Sequence, residues 1–586
     1  MSAPVLEPVQ TTSLTASVEA TLGDPKNPNN PVSFAYSQMI DESERFPQEA
    51  IAWLYDHDLA RHFVPQHFGG SFRSFDELAE LIRVLSRRDL TSAVAFSTLF
   101  WSFLTWIAGT EEQKRWLADY IVRRHGAMCL AYSEREHGSD LLAGDTVAER
   151  SNEGYLVTGE KWPINRATIS GLSFVLATTD RAAGPRGLSL FMIDKSTLDP
   201  ARYSNTPKIP TYGIRGSDMS GIRFAGCRVP TEAMLGGEGH GLEIALKGFQ
   251  ITRALCAAFS LGAGDTALRT TLQFALHRTL YGERVIDMPH AAKVLSDAFL
   301  DLLICDCVTR SGLRAFHAVP EQVSVWSALV KYFVPVTIET MIQNLSVILG
   351  ARYYMREEHE WGTFQRLLRD AAIVSVFDGS TVVNLHALLL QLRQLARRRA
   401  EGAGQESRLA AIFDLRGDVA SFDGRRLSLA ARQANDALDG VGRSLEHLRA
   451  QKVGAGADAE DMKQILAAGE TLRHEIEKQR SELAESKFEA GHRQSATAFN
   501  AARKYCGLHA AASCLQVWAW TRTNDGSFFS QGRWLVPALA RLLQTYGNAG
   551  HEMNAEKPQP EILRELLRCR DDNLMFSLAA SRLGAA

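Results

Sequence analysis

The texture of the sequence changes twice, and those changes limit the fold more than any single motif does. After Cys129 the runs GYLVTGEKWPI, LSFVLATTD, GLSLFMID and GIRFAGCRVP are short, rich in β-branched and aromatic residues, and cut by Gly, Pro, Asn and Asp. This spacing predicts a compact antiparallel β domain, barrel-like, over residues 129–240. On both sides the pattern is helical. Asp41-Glu42-Ser43-Glu44 and Ser74-Phe75-Asp76-Glu77 place acids where a helix dipole favours them, so residues 37–128 read as an α-helical domain. ITRALCAAFSLGAGDTALRTTLQFALHR and SALVKYFVPVTIETMIQNLSVILG then carry helical runs through residues 241–396, an α-helical bundle domain. The resulting order is α, β, α.

Two flanking stretches complete the chain. Residues 1–36 lack a basic start and a continuous apolar run, and read as a flexible arm. The charged, Gly-containing segment around 397–407 reads as a linker, and residues 408–586 as a C-terminal α-helical extension. Leu438, Val441, Leu445 and Leu448 form one apolar seam, and Met462, Ile465, Leu472, Ile476 and Leu483 another. GAGADAED at 454–461 reads as the turn between those helices. The stretch from Thr91 to Thr110 has no charge, yet its Ser and Thr residues and flanking acids favour a buried helix over a membrane span.

Charge and cysteine usage exclude several functions. Among 586 residues, 64 Lys and Arg meet 67 Asp and Glu for a net charge of −3, so no bulk positive charge recruits nucleic acid. Eight cysteines without a C-x-x-C pair argue against a disulfide framework and a structural zinc, and favour a reducing, cytoplasmic setting; no metal is expected. No Rossmann glycine pattern, P-loop, H-E-x-x-H or G-x-S-x-G elbow occurs.

A few polar segments stand out against this background, each with a plain structural reading. HGSD at 137–140 is a polar turn, and Asp378-Gly379-Ser380-Thr381 looks like a turn and helix N-cap. Asp378 nevertheless lies between two apolar stretches, where loss of water would raise its basicity. Arg278-Thr279-Leu280-Tyr281-Gly282 suits a helix C-cap. Arg253, a lone cation on an apolar helix, either snorkels to water or meets an anion.

Taken in order, these segments resemble the acyl-CoA dehydrogenase flavoprotein family over about residues 37–396. VPQHFGG at 64–70, GTEEQKRWL at 109–117, LAYSEREHGSD at 130–140 and YLVTGEKWPI at 155–164 are similar to family segments. So are GIRGSDMSGIRFAGCRVPTEAMLGGEGHGLEIALKGFQITR at 213–253, ALHRTLYGERVIDMPH at 275–290 and LLRDAAIVSVFDGSTVVNLHALL at 367–389. The resemblance implies a mainly α fold with a central β domain and noncovalent FAD. It implies α-proton abstraction from an acyl thioester, carried by CoA or an acyl carrier protein, with β-hydride transfer to the flavin. Asp378 takes the position of the family's catalytic Glu, one methylene shorter, and Arg253 lies near the thioester. The glutamate that some branches place one helix away aligns near Thr252, leaving Asp378 as the candidate base.

For the cofactor, the resemblance points to Leu130, Tyr132, Ser133 and Ser139, to Pro163 and Asn165 where the family has its flavin-packing Trp region, and to Ser380. Arg278, Tyr281, Ser346 and Gly350 would meet the FAD of a neighbouring subunit. It further implies a homo-oligomer, dimer or tetramer, and an acceptor such as an electron-transfer flavoprotein. Two other readings stay open at this point: a flavin oxidase or monooxygenase on the same fold, and a family-like scaffold whose C-terminal helices bind a protein.

Overall fold

The computed structural model describes residues 14–584, apart from 401, 403, 432–434, 452–456, 490, 492, 524–526, 548–558 and 580. Its N-terminal helices are α1 (Leu14–Leu22), α2 (Phe34–Glu42), α3 (Gln48–Asp56), α4 (Phe75–Arg88), α5 (Leu90–Phe96), α6 (Ser102–Ala108) and α7 (Glu111–Val122). Their starts follow local chemistry. The Ser74 hydroxyl accepts from the Glu77 N–H at the head of α4. At α7, Thr110 and Gln113 form a capping box. Gln113 does more: its amide donates to the carbonyls of Glu232 (2.8 Å) and Met234 (3.0 Å), tying α7 to the β domain. The GTEEQK segment therefore acts as a cap and a strap at once.

Two readings of this region need correction. The stretch taken as a flexible arm contains α1 and the first turn of α2, its first 13 residues lying outside the described ones, and α1 is held because Glu19 is buried against Arg88 at 2.8 Å and also pairs with Arg87. An acid placed to neutralise two buried guanidiniums anchors its helix. The charge-free stretch is interior as expected, 83% buried, but it is two α-helices joined by a 3-10 turn at Ser97–Trp101.

The β domain comprises β1 (Met128–Ala131), β2 (Val147–Ser151), β3 (Gly154–Asn165), β4 (Leu172–Thr178), β5 (Leu188–Asp194), β6 (Tyr203–Asn205), β7 (Met219–Val229) and β8 (Met234–Leu235). The sheet runs β6-β7-β3-β2-β4-β5-β8, with β1 pairing β4. It is mixed, which corrects the antiparallel expectation: β1 and β4 are parallel, with Met128 opposite Leu172. The β2–β3 hairpin lies between them in sequence and brings the chain back in the same direction. Alternation then decides what each side meets: Cys129 and Ala131 face the sheet's own core, while Met128, Leu130 and Tyr132 pack against the helices.

The second helical layer is α8 (Gly241–Leu255), α9 (Ala257–His277), a hairpin of β9 (Thr279–Leu280) and β10 (Glu283–Arg284), α10 (Pro289–Ala318), α11 (Val323–Leu349), α12 (Glu358–Ala371) and α13 (Thr381–Ala396). The extension adds α14 (Gln405–Phe413), α15 (Asp436–Asp439), α16 (Val441–Ala450), α17 (Ala457–Glu485), α18 (Ala496–Thr521), α19 (Phe528–Gln531), α20 (Leu535–Tyr546) and α21 (Pro560–Asp571). Both apolar seams read from the sequence are buried. Most of the proposed 454–461 turn lies outside the described residues or inside α17.

Charged pairs lock these layers together. Asp265 of α9 accepts from Arg87 Nε at 2.9 Å and from the Phe576 N–H at 2.7 Å. Asp306 of α10 accepts from Arg83 Nη1 (3.0 Å), the Ser577 hydroxyl (2.7 Å) and the Leu578 N–H (3.0 Å). Burial alone would raise the Asp265 carboxyl, but Arg87, Arg269 and Arg83 bring it below its ordinary range. Its stabilisation is thus complete above about pH 4 and is lost as pH falls further. Asp265→Ala leaves buried guanidinium charge unpaired, and the expected loss is about 3–5 kcal/mol of unfolding free energy, measured by chemical denaturation at pH 7.

Candidate functional site

Between α12 and α13 the chain makes a tight turn that carries Asp378. Its backbone is left-handed, with φ +53° at Asp378 and +93° at Gly379. Asp tolerates this region better than most residues with a side chain, and Gly379 is required for a second reason: a Cβ there would lie 2.8 Å from Arg253 Nε. Ser380 closes the turn as the N-cap of α13, accepting from the Val383 N–H.

The Asp378 carboxyl is treated differently at its two oxygens. Cys256 Sγ lies 3.8 Å from Oδ2, whereas Oδ1 is shut off from solvent with no hydrogen-bond partner among the described residues. Burial pushes the Cys256 thiol up to about 12, so it remains a neutral donor. Burial likewise raises Asp378, opposed first by Lys331, then by Arg253, with Thr252 and Cys256 adding hydrogen-bond support. A desolvated carboxylate with one idle oxygen is a base awaiting a proton.

Aromatic rings cluster beside the turn and beside Arg253. Phe377, the preceding residue, lies 6.0 Å from Phe259. Phe249 meets Tyr132 edge-on at 5.3 Å and Trp101 at 6.2 Å, and Arg253 sits 5.1 Å from the Phe249 ring. Arg253 Nε donates to the Asp378 carbonyl at 3.1 Å. Of the two readings left open for it, contact with the acidic loop is the one realised, though through the backbone oxygen.

The seam between the β domain and the helices meets this pocket at Tyr132. The Tyr132 hydroxyl is buried with no partner among the described residues, and its proton is held well above the ordinary range by burial and by Asp378. Leu130 is half-buried beside it and Ser133 follows, its carbonyl accepting from the Trp162 N–H. Glu134 and Lys161 brace the turn at 2.8 Å; burial raises Glu134, but Lys161 and the amides of Asp145 and Thr146 bring it to about 2. At the end of β3, Asn165 presents a buried Oδ1 that also has no partner among the described residues. Orphaned polar groups such as the Tyr132 hydroxyl and the Asn165 amide oxygen fit a flat ring with polar edges, as a flavin is.

Other expected residues lie elsewhere. Ser139 and Pro163 are exposed, Pro163 following the cis Trp162–Pro163 bond. Arg278 and the fully exposed Tyr281 sit on the β9–β10 hairpin, and Gly350 is exposed at the end of α11, one turn past Ser346. This chain by itself does not gather them around Asp378. The Ser380 hydroxyl serves its helix cap, as its local sequence predicted. Lys331 and Cys256 were missed, although the signal was visible: Lys331 is a lone cation in the apolar run SALVKYFVPV, just as Arg253 is in its own helix.

Comparison with known proteins gives a consistent picture. Residues 129–227 match the family model for the acyl-CoA dehydrogenase middle domain, and residues 239–392 that for its C-terminal domain. A cyclohex-1-ene-1-carbonyl-CoA dehydrogenase of Geobacter metallireducens is 25% identical over 346 residues, 59% of this chain and 89% of that protein. Among solved structures, butyryl-CoA dehydrogenase from Megasphaera elsdenii superposes with a TM-score of 0.60 at 21% identity, over 67% of this chain and all of the other. The FAD complex of PigA does so with 0.59 at 19%, over 66% and 98%.

Proposed function

Because the chain belongs to the acyl-CoA dehydrogenase family through residues 129–227 and 239–392, we propose that it oxidises an acyl thioester to the 2-enoyl thioester, with Asp378 as the base. The observation that carries this reading is the idle, desolvated Asp378 Oδ1. A thioester α-C–H is a weak acid, and only a carboxylate stripped of water and fixed in place competes for its proton. Cys256 occupies Oδ2 and so directs the proton to Oδ1. Arg253 fixes the backbone of the turn, and the surrounding Phe rings keep water out.

Tyr132, Ser133, Asn165 and Leu130 are the residues that would hold FAD, which PigA binds on this fold. Bound there, it would supply the hydride-accepting chemistry that no side chain can. The carrier is CoA or an acyl carrier protein, and the acceptor an electron-transfer flavoprotein. The exposed Arg278 and Tyr281 suit a homo-oligomer in which they face a second subunit. All eight cysteines are buried free thiols, which agrees with a cytoplasmic setting.

The test is an anaerobic panel of acyl-CoA and acyl-carrier-protein thioesters, followed by flavin absorbance. At least one thioester is expected to bleach the flavin. Its rate should fall as pH drops through the raised Asp378 value, since only the ionised base acts. An FAD-loaded protein that no thioester bleaches would falsify the proposal.

A further inference from the structure

Lys331 is the sole lysine of α11 and is 1% exposed. Its ammonium donates to the Val374 carbonyl at 2.6 Å and lies 4.4 Å from the Phe377 ring centroid. Both contacts fall on the turn that carries Asp378. One carbonyl and one ring do not neutralise a buried ammonium, so the charge needs an anion nearby. Asp378 is the carboxylate that acts on it. Cys256 and Arg253 also face Lys331, and Asp378 in turn faces Arg253, Cys256, Thr252 and Tyr132. Arg253 is committed to the Asp378 backbone oxygen, and the other three are neutral. Lys331 and Arg253 each hold a carbonyl of the turn, and of the two Lys331 acts more strongly on the Asp378 carboxyl.

We infer that Lys331 is the positioning residue of the candidate base, pinning the turn through Val374 and Phe377 and keeping the Asp378 carboxylate ionised inside an apolar pocket. The inference rests on the reading of Asp378 as the base for its role in turnover, but the charge coupling is measurable without turnover.

The experiment uses full-length, FAD-loaded protein with 13C-labelled aspartate. The Asp378 carboxyl is titrated by difference infrared spectroscopy, with Asp378→Asn as the spectral reference. Lys331→Met removes charge and donor together, while Lys331→Gln keeps a donor for Val374 and removes only the charge. In both variants the Asp378 titration should move up by roughly one to three pH units, and the acid limb of thioester-driven bleaching should move with it. The thermal midpoint should fall further in Lys331→Met than in Lys331→Gln. A purely structural lysine would lower that midpoint and leave the titration where it was, and this result overturns the inference. If the infrared titration moves and bleaching does not, Lys331 keeps its charge role and Asp378 loses its place as the base.

Discussion

Asp378→Asn should reduce the rate of thioester-driven flavin bleaching on the order of 10²- to 10⁴-fold while FAD content stays at the parental level. The substitution isolates the chemistry. Asn has the shape of Asp and shares its tolerance for the left-handed backbone found at φ +53°, so the turn has no reason to rearrange. Removing the carboxylate also takes the counter-charge from the buried Lys331 and Arg253, so a lower thermal midpoint is expected beside the loss of rate, and the FAD content of the folded protein separates the two effects. The residues proposed to hold FAD, among them Asn165 and Ser133, lie on the β domain and keep their own surroundings. Asp378→Glu is a harsher probe than its chemistry suggests: Glu adds a methylene where Oδ1 is already shut off from solvent, at a backbone angle it tolerates less well. Anaerobic stopped-flow reduction, together with flavin-to-protein absorbance ratios, checks the prediction. Parental bleaching by Asp378→Asn would remove Asp378 from the mechanism.

The α, β, α order was legible because texture is a local property: periodicity and Gly and Pro punctuation act over a few residues, and Asp76 and Glu77 do open α4, although Asp41 and Glu42, read as a helix start, close α2. Glu19 was not legible. Its meaning depends on Arg87 and Arg88 nearly seventy positions later, and nothing near Glu19 announces them. The parallel β1–β4 pair escaped for the same reason, since strand direction depends on where the intervening hairpin returns the chain. At the site, Asp378 could be nominated from its apolar flanks, and its Oδ1 is shut off from solvent. Lys331 could have been nominated by the argument applied to Arg253, a lone cation among apolar neighbours. What the sequence could not supply is that both cations converge on one turn, because α8 and α11 meet there only in three dimensions.

Deleting residues 405–586 should convert the chain from a folded protein into aggregate. The extension was open to reading as a separate partner-binding module, but its apolar faces are spent inside the molecule. Trp326 of α11 is fully buried, 4.5 Å from the His509 ring of α18 and 6.1 Å from Phe413 of α14. Asp301 of α10 is buried and held by Arg541 Nε and Nη2 at 2.7 and 2.8 Å, and Asp436 accepts from Gln322 at 2.7 Å. Truncation strips Asp301 of that guanidinium, a loss of about 3–5 kcal/mol for a buried charge left unpaired. It also removes the Phe576, Ser577 and Leu578 groups that satisfy Asp265 and Asp306, at about 1–3 kcal/mol for each buried acceptor so exposed to loss. Against a typical net stability of about 5–15 kcal/mol, these polar losses alone approach the margin, before the uncovered faces of α10 and α11 are counted. The soluble, monodisperse fraction on size exclusion is the measurement, and co-expression of residues 405–586 as a separate chain should restore it if the two parts form one core. A truncated protein that stays monodisperse, keeps its FAD and bleaches with thioester at the parental rate would show that the extension is a partner module after all.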